Sequence, residues 1–398
     1  MIEQLQEKQR KLLHATKNIH YKRDAYDFIN SDERLIALIG ARGVGKTTLL
    51  LQYLSQFTLD EALYFSADDI SIAQYGIIEI VEKFYTLGGR VVVIDEVHMF
   101  KEWAGHIKNL YDFNSDLTIR ISGSSMLNIL MQSHDLSRRI VTKELDTLSF
   151  KEYFEIKNDT ILPKISYEEM LLNHNNLSFE LTQKYPMLYK DFTNYLKIGA
   201  YPFFSTSKDD ESFTSKLFNS IEKIIYEDIP STNKIRFENL SVFKKLIYKV
   251  LASKVPFQVK IDTLAKDLGI SEPTLYTYLE ILDKTGIFKS IKKYSTKQTK
   301  KPEKIFFKNT NILYTLSSDQ KIAIDIGTVR ETFFVNCFKD IYYSDIGDFK
   351  VADTIFEIGG KNKKFEQIKG IEKSFLAIDI DTTTNKYKVP LWMFGLVC

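Results

Sequence analysis

Residues 35–54 read LIALIGARGVGKTTLLLQYL, and this stretch decides the fold. Its first five residues are all apolar, which is typical of a strand buried on both faces of a sheet. The next eight, GARGVGKT, have the form G-x-x-x-x-G-K-[ST], and KTTLLLQYL has apolar residues at helical spacing. The sequence therefore predicts a strand, a glycine-rich loop and a helix in direct succession.

This order predicts a phosphate-binding loop. Glycines let backbone N–H groups curve around a phosphate, and the helix start adds unpaired N–H groups and the positive end of its dipole. We expect Lys46 to neutralise the β- and γ-phosphates and Thr47 to place a hydroxyl at Mg²⁺. The alternative is a glycine-rich turn without a ligand. The predicted nucleotide-binding residues here are Gly40, Ala41, Arg42, Gly43, Val44, Gly45, Lys46, Thr47 and Thr48.

Two adjacent carboxylates end a second apolar run, RVVVIDEV at 90–97. We expect Asp95 to hold Mg²⁺ through water, so that Thr47 and Asp95 form the predicted metal site. Glu96, one residue further, is placed to polarise the attacking water and accept its proton. This pattern favours hydrolysis over binding alone. In the alternative interpretation, both carboxylates only end a strand.

Polar residues after the next strand offer further site candidates. LTIRISGSS, residues 117–125, ends in small polar residues, and Ser122 or Ser124 is predicted to contact the γ-phosphate, with Ser124 assigned to nucleotide binding. A strand-end turn that caps the following helix is the alternative. Of Arg138 and Arg139, we assign Arg139 to stabilise transition-state charge, in cis or from a neighbouring subunit. A solvated pair before a strand is the alternative for these arginines.

The rest of the chain predicts several parts. Strand and helix patterns alternate up to about residue 150, which predicts an α/β fold with a parallel sheet and helices on both faces. We expect an ATPase domain at 1–150, a helical region at 151–250, a winged-helix-like unit at 251–300 and a small α/β domain at 301–398.

The composition argues against several classes of protein. The chain has 398 residues, 44% hydrophobic and 27% charged, with a formal charge of +2, which is too balanced to imply nucleic-acid or membrane binding by bulk charge. The cysteines, Cys337 and Cys398, suit a reducing compartment. Neither a signal peptide nor a run of about eighteen apolar residues is present. We therefore expect a cytoplasmic protein without a membrane partner.

Several motifs follow one another along the chain: GARGVGKTTLL, ALYFSADD, VVVIDEVHMFKEW, LTIRISGSS, LDTLSFKEYFE, YLKIGAYPFF and KPEKIFFKNTNILYTL. Taken in this order, they resemble the prokaryotic AAA+-type ATPases that carry a C-terminal domain of unknown function. The resemblance implies a P-loop ATPase with an additional strand, a preference for ATP over GTP, and a catalytic arginine after the sensor strand, here Arg139. Family members usually have a small residue before that arginine, where this chain has Arg138.

The family's terminal region is similar to the PD-(D/E)XK nuclease fold. The candidate positions are Glu331, Asp353, Gln367 and Lys369, with Asp353 expected on one strand and Gln367 and Lys369 on the next. Gln367 stands where a carboxylate is wanted, and a neutral amide binds Mg²⁺ weakly. A degenerate fold used for binding or packing is therefore favoured over an active nuclease.

Residues 258–294 predict a winged-helix-like unit that binds DNA or packs against protein. If DNA is bound, Lys284, Lys289, Lys292 and Lys293 supply the salt-dependent affinity. The leading hypothesis is a Mg²⁺-dependent ATPase that couples nucleotide state to a macromolecular partner and forms a homo-oligomer. The alternatives are an ATP-regulated DNA-binding or nuclease-like protein that acts through its C-terminal domain, and a protein in which ATP is only a structural ligand.

Overall fold

A computed structural model describes residues 1–123, 136–232, 235–253, 257–294 and 301–397. Two compact units are present, one containing Met1–Asp146 and the other containing Thr147–Pro230 and Lys234–Cys398. The finer division at residues 150, 250 and 300 stays a prediction. Among the described helices, none has the length and apolar character that crossing a membrane requires.

The first unit is built on a five-stranded sheet in which all neighbouring strands are parallel. The strand order is β2-β3-β4-β1-β5. The strand that precedes the glycine-rich loop, β1, is thus separated from the Asp95 strand, β3, by β4, which confirms the predicted additional strand. The strands are β1 (Leu35–Ile39), β2 (Ala62–Ser66), β3 (Val91–Asp95), β4 (Thr118–Gly123) and β5 (Val141–Glu144).

Helices flank this sheet. β1 and β3 are buried along their whole length, as their continuous apolar sequences predict. Trp103 and Ile107 are fully buried in the core of this unit. The predicted α/β architecture with a parallel sheet is confirmed. The helices are α1 (Ile2–Thr16), α2 (Ala25–Ile29), α3 (Lys46–Leu54), α4 (Ile70–Tyr75), α5 (Ile77–Thr86) and α6 (Trp103–Phe113).

Helices dominate the first half of the second unit. The first of them starts with a capping box, in which the Ser149 hydroxyl accepts from the Glu152 N–H and the Glu152 carboxylate accepts from the Ser149 N–H. These helices are α7 (Phe150–Asn158), α8 (Tyr167–Lys184), α9 (Leu188–Ile198), α10 (Asp210–Lys223), α11 (Ile229–Thr232) and α12 (Leu240–Leu251).

A helix pair and a three-stranded sheet follow. The pair is joined by a turn in which Gly269 has a φ of +67°, and the strands are antiparallel in the order β6-β8-β7. The elements are β6 (Phe257–Gln258), α13 (Ile261–Leu268), α14 (Glu272–Lys284), β7 (Phe288–Ile291) and β8 (Lys304–Phe307).

A second five-stranded sheet closes the chain, in the order β13-β12-β11-β10-β9. β9, β10 and β11 are antiparallel neighbours, whereas β11, β12 and β13 run parallel. The Phe334 ring packs on Phe356 and Phe394, with ring centroids 5.1 and 4.9 Å apart. The elements are α15 (Thr310–Gln320), α16 (Ile326–Asn336), β9 (Tyr342–Tyr343), β10 (Phe349–Val351), β11 (Thr354–Gly360), β12 (Ser374–Asp379) and β13 (Lys388–Pro390).

Candidate nucleotide site

The glycine-rich loop connects β1, which ends at Ile39, with α3, which begins at Lys46. Gly45 precedes the helix with a φ of +96°, a backbone conformation that is unfavourable for residues with a Cβ. A Cβ on Gly40 would lie 2.3 Å from the carbonyl oxygen of Leu145. Glycine is therefore required at both ends of the loop, at one for its backbone angle and at the other for close approach.

Lys46 is held inside the loop. Its Nζ donates to the carbonyl oxygens of Gly40 and Ala41, both at 3.0 Å, and the residue is only 5% exposed. Arg23 braces the same loop, because its Nη1 donates to the carbonyl oxygens of Val44 at 3.0 Å and Asp146 at 2.8 Å. Sequence reasoning missed Arg23, since no local pattern connects it with the loop.

Asp95 lies at the tip of β3, beside the loop. Its Oδ2 accepts a hydrogen bond from the Thr47 hydroxyl at 2.6 Å, and its Oδ1 accepts one from the Ser122 hydroxyl. Thr47 and Asp95, the two predicted metal-binding residues, are therefore in direct contact. Ser122 is fully buried and binds Asp95. Ser124, the other serine considered, lies outside the described residues.

Glu96 follows Asp95 with a left-handed backbone, φ +49°. A non-glycine residue in this conformation costs on the order of 1 kcal/mol, and such strain is concentrated at functional sites. The Glu96 N–H donates to Ser122 Oγ at 3.2 Å, and Glu96 Oε2 lies 3.5 Å from Nδ1 of the buried His98. The side chain of Glu96 keeps 23% of its surface exposed. The carboxylate is thus accessible to water while its backbone is fixed.

Tyr64, on the outer strand β2, was not predicted as a site residue. Its hydroxyl donates to Asp95 Oδ2 at 2.9 Å, and its ring is buried. Burial and the neighbouring Asp95 carboxylate raise the pKa of Tyr64 far above its ordinary value, so the phenol stays protonated. The sequence ALYFS contains one signal that could have found it. Tyr64 is the one buried residue of this strand with a polar side-chain atom, and a buried tyrosine hydroxyl needs a hydrogen-bond partner.

This set of groups suits a magnesium nucleotide. The loop presents backbone N–H groups at a helix start, and Lys46 adds a buried cation. Thr47 and Asp95 provide hydroxyl and carboxylate oxygens, the ligands that Mg²⁺ prefers. In the described ranges, no group of three or more His, Cys, Asp and Glu side chains could hold a metal ion. A P-loop site needs only one carboxylate, which Asp95 provides.

Arg139 is engaged by an acidic partner. Its Nε donates to Asp112 Oδ1 at 2.7 Å and its Nη2 to Asp112 Oδ2 at 3.1 Å. This interaction lowers the pKa of Asp112. The predicted role of Arg139 in catalysis would require it to exchange this carboxylate for phosphate.

The structure corrects the strand positions predicted for the C-terminal part. Asp353 lies in the turn between β10 and β11 rather than on a strand, and its exposed side chain pairs with Lys373. Gln367 and Lys369 are exposed in turns that precede β12. The reason is that Ile368 is the only buried residue between 366 and 370, so this segment lacks the apolar face a strand needs.

Other carboxylates come together in that part of the chain. Burial raises the pKa of Glu331, on α16, to about 7, with Asp348 and Glu357 adding to the rise. Glu357, on β11, is 1% exposed and its pKa is raised mainly by burial. Lys363 pairs with Glu357, and Lys304 Nζ lies 3.7 Å from Glu331 Oε2. A lysine therefore offsets part of the negative charge of each glutamate.

Two protein families match parts of the chain. Residues 32–154 match the AAA domain, and residues 189–322 match a domain of unknown function, DUF8612. The AAA match, the loop and the parallel sheet together support a nucleotide-binding P-loop ATPase in the first part of the chain.

The individual proteins to which this chain is similar add little to that assignment. An uncharacterised protein of Methanocaldococcus jannaschii is 29% identical over 314 residues, which cover 74% of this chain and 65% of that protein. The chain thus spans less than two thirds of this curated relative. DnaA from Aquifex aeolicus, bound to AMPPCP, is 16% identical, with 65% of this chain and 84% of that chain covered and a TM-score of 0.28. A DNA replication initiation factor is 13% identical, with coverages of 75% and 85% and a TM-score of 0.28. TM-scores this low carry no argument for this chain.

Proposed function

We propose that this chain is a Mg²⁺-dependent ATP hydrolase of the AAA+ type, with Lys46, Glu96 and Arg139 as catalytic residues. The observation that carries the proposal is the contact between Thr47 and Asp95, with Glu96 in a constrained backbone conformation directly after it. A nucleotide-binding loop alone would need no such partner strand.

The division of work follows from the groups present. Thr47 and Asp95 would hold Mg²⁺, which when bound supplies positive charge and orients the phosphates. Lys46 neutralises phosphate oxygens, and its two carbonyl partners keep its ammonium group inside the loop before ATP arrives. Glu96 accepts the proton of the attacking water at its partly exposed carboxylate. The proposal also assigns nucleotide contacts to residues 40–48 and Ser124.

Steady-state ATP hydrolysis by the purified chain tests the proposal. Lys46→Ala should abolish turnover, and Glu96→Gln should lower kcat by about 100-fold or more, since positioned bases contribute roughly 10²–10⁴-fold. Glu102→Gln is the matched control, because Glu102 is also a glutamate with a positive φ but is exposed at the start of α6. Equal turnover in Glu96→Gln and Glu102→Gln would refute the role of Glu96.

We further propose that nucleotide state is coupled to a macromolecular partner through the second unit. The α13–α14 helix pair with its antiparallel sheet supports a winged-helix-like surface. Two of the lysines considered for DNA are compensated, Lys284 by Glu280 at 2.6 Å and Lys293 by Asp345 at 2.7 Å. A protein partner is therefore favoured, and hydrolysis that rises with duplex or single-stranded DNA would favour DNA instead.

The alternative function is a nuclease-like activity in the C-terminal part. It is supported by the carboxylates of Glu357, which is buried, and Glu331, which is half-buried, because ionisable groups with raised pKa values are concentrated at functional sites. Mg²⁺-dependent cleavage of DNA that survives Lys46→Ala but is lost in Glu357→Gln would support it. Asp353→Asn is the matched control, since that carboxylate is exposed. We place ATP chemistry first because a lysine already pairs with each of these glutamates.

A further inference from the structure

The carboxylate of Asp95 is fixed by more than the loop. Among the described residues, hydroxyl groups of Thr47 and Tyr64 both donate to its Oδ2, at 2.6 and 2.9 Å, and the Ser122 hydroxyl donates to Oδ1. Thr47 lies in the first turn of α3, directly after the loop, whereas Tyr64 comes from β2, the outermost strand on this side of the sheet. The outer strand therefore has a direct connection to the nucleotide site.

Strand register explains how Tyr64 reaches Asp95. Tyr64 pairs with Val93 on β3, and Asp95 is two residues further along the same strand. Residues two apart in a strand share a face, so the long Tyr64 side chain lies on the face of Asp95 and spans the diagonal between them. A phenylalanine would fill the same buried space, so the hydroxyl is the part of Tyr64 that packing does not require.

The N-terminal helix holds β2 in place at this same residue. Gln9 on α1 is fully buried, its Oε1 accepts from the Tyr64 N–H at 2.9 Å, and its Nε2 donates to the Ala62 carbonyl at 3.1 Å. One side chain thus satisfies both backbone groups that β2 presents there. Lys8 on the same helix pairs with Asp69, which caps α4 just after the strand.

We propose that Tyr64 is a positioning residue for Asp95 and that α1, through Gln9, sets the strength of Mg²⁺ binding at the nucleotide site. The inference rests on the proposed function, because it assumes that Asp95 serves a metal. A carboxylate whose orientation is already fixed needs no rearrangement when the metal arrives, and losing a group that orients a metal ligand typically costs about 10–100-fold in metal affinity.

The test compares nucleotide affinity with and without metal, using the full-length chain and a fluorescent ATP analogue. In Tyr64→Phe, affinity in EDTA should stay within about twofold of wild type, while the Mg²⁺ concentration for half-maximal binding should rise about tenfold. A purely structural role would alter both values together. The same shift should appear in the Mg²⁺ dependence of hydrolysis.

A second pair of variants separates α1 from general helix packing. Gln9→Leu should also raise the Mg²⁺ requirement, whereas Gln6→Leu should not. Gln6 is the matched control, because its Nε2 donates to the Leu59 carbonyl at 2.8 Å, one helical turn away and before β2 begins. This pair keeps the test open if Tyr64→Phe fails to fold.

The outcomes are distinguishable. An unchanged Mg²⁺ requirement in Tyr64→Phe, or equal effects of Gln9→Leu and Gln6→Leu, overturns the inference while leaving ATP binding intact. If wild type binds the analogue no better than Lys46→Ala does, or gains nothing from Mg²⁺, the proposed function fails and the inference falls with it.

Discussion

Arg139 and Asp112 form a two-point ion pair, with guanidinium to carboxylate distances of 2.7 and 3.1 Å. Paired planar groups of this kind are geometrically specific, so Asp112 competes directly with any phosphate for the same face of Arg139. The pair is partly exposed, at 30% and 33% of the side-chain surfaces, and therefore exchangeable.

Because Asp112 competes with phosphate for Arg139, replacing either residue should affect hydrolysis in opposite directions. Arg139→Ala should lower kcat by at least about 100-fold if the arginine acts on the transition state, since such groups contribute roughly 10³–10⁵-fold. Asp112→Asn should raise kcat, because it removes the competing negative charge while keeping the side-chain shape. Steady-state turnover decides the matter, and an unchanged kcat in Arg139→Ala would exclude a catalytic role.

Gly40→Ala should disable the loop. The added Cβ would lie 2.3 Å from the Leu145 carbonyl oxygen, so the backbone must shift. We expect nucleotide affinity to fall more than tenfold and the free energy of unfolding to fall by about 1–3 kcal/mol. Gly105→Ala in α6 is the control, because nothing lies within 4 Å of its added Cβ. That substitution should be neutral or stabilise by about 0.5–1 kcal/mol. Denaturant unfolding and nucleotide titration measure both effects.

Glu331 predicts a pH dependence of stability. Its pKa is raised to about 7 in the folded chain from an ordinary 4.5. The folded state therefore keeps this proton more tightly than the unfolded state, and its contribution to stability falls as pH rises from about 4.5 to about 7. The total loss is on the order of 3 kcal/mol. Glu331→Gln should be more stable than wild type at pH 8, with the difference shrinking towards pH 5. Urea unfolding at several pH values would refute this if the two proteins keep a constant difference.

Arg120 should be essential for the first unit. It is 1% exposed on β4, and its guanidinium donates to the carbonyl oxygens of Ile29, Ser31 and Glu33 at 2.7–2.8 Å. A lysine is a point charge and leaves some of these carbonyls unpaired. Arg120→Lys should therefore lower the free energy of unfolding by about 2–3 kcal/mol. The exposed Arg90→Lys should leave the denaturation midpoint close to wild type, and a similar loss in both variants would contradict the prediction.

The sequence revealed what is encoded locally. The loop from Gly40 to Thr47 and the carboxylates after β3 are contiguous motifs, so their positions were predictable, and alternation of apolar segments gave the parallel sheet. Contacts between residues that are far apart in the chain could not be predicted from the sequence. Tyr64 reaches Asp95 across 31 positions and Gln9 reaches Tyr64 across 55. No periodicity reports such pairs.

The strand positions predicted for the C-terminal part were wrong for a related reason. The structure begins β11 directly after Asp353 and begins β12 only at Ser374, well after Gln367, because short strands differ from turns by only one or two buried residues. Glu331 and Glu357 come from a helix and a strand, and only the folded chain brings them close enough for Glu357 to raise the pKa of Glu331.

The Gln9 side chain also limits how two copies of the chain can associate through the edge of β2. The outer edge of a sheet is a template on which another chain can add a strand, and such edges lead to aggregation unless they are covered. Gln9 occupies one N–H and one carbonyl of β2, so it mimics a neighbouring strand over that residue pair. The N-terminal helix thereby covers part of this edge of the first unit, and a chain shortened from its amino end would offer β2 to a second molecule.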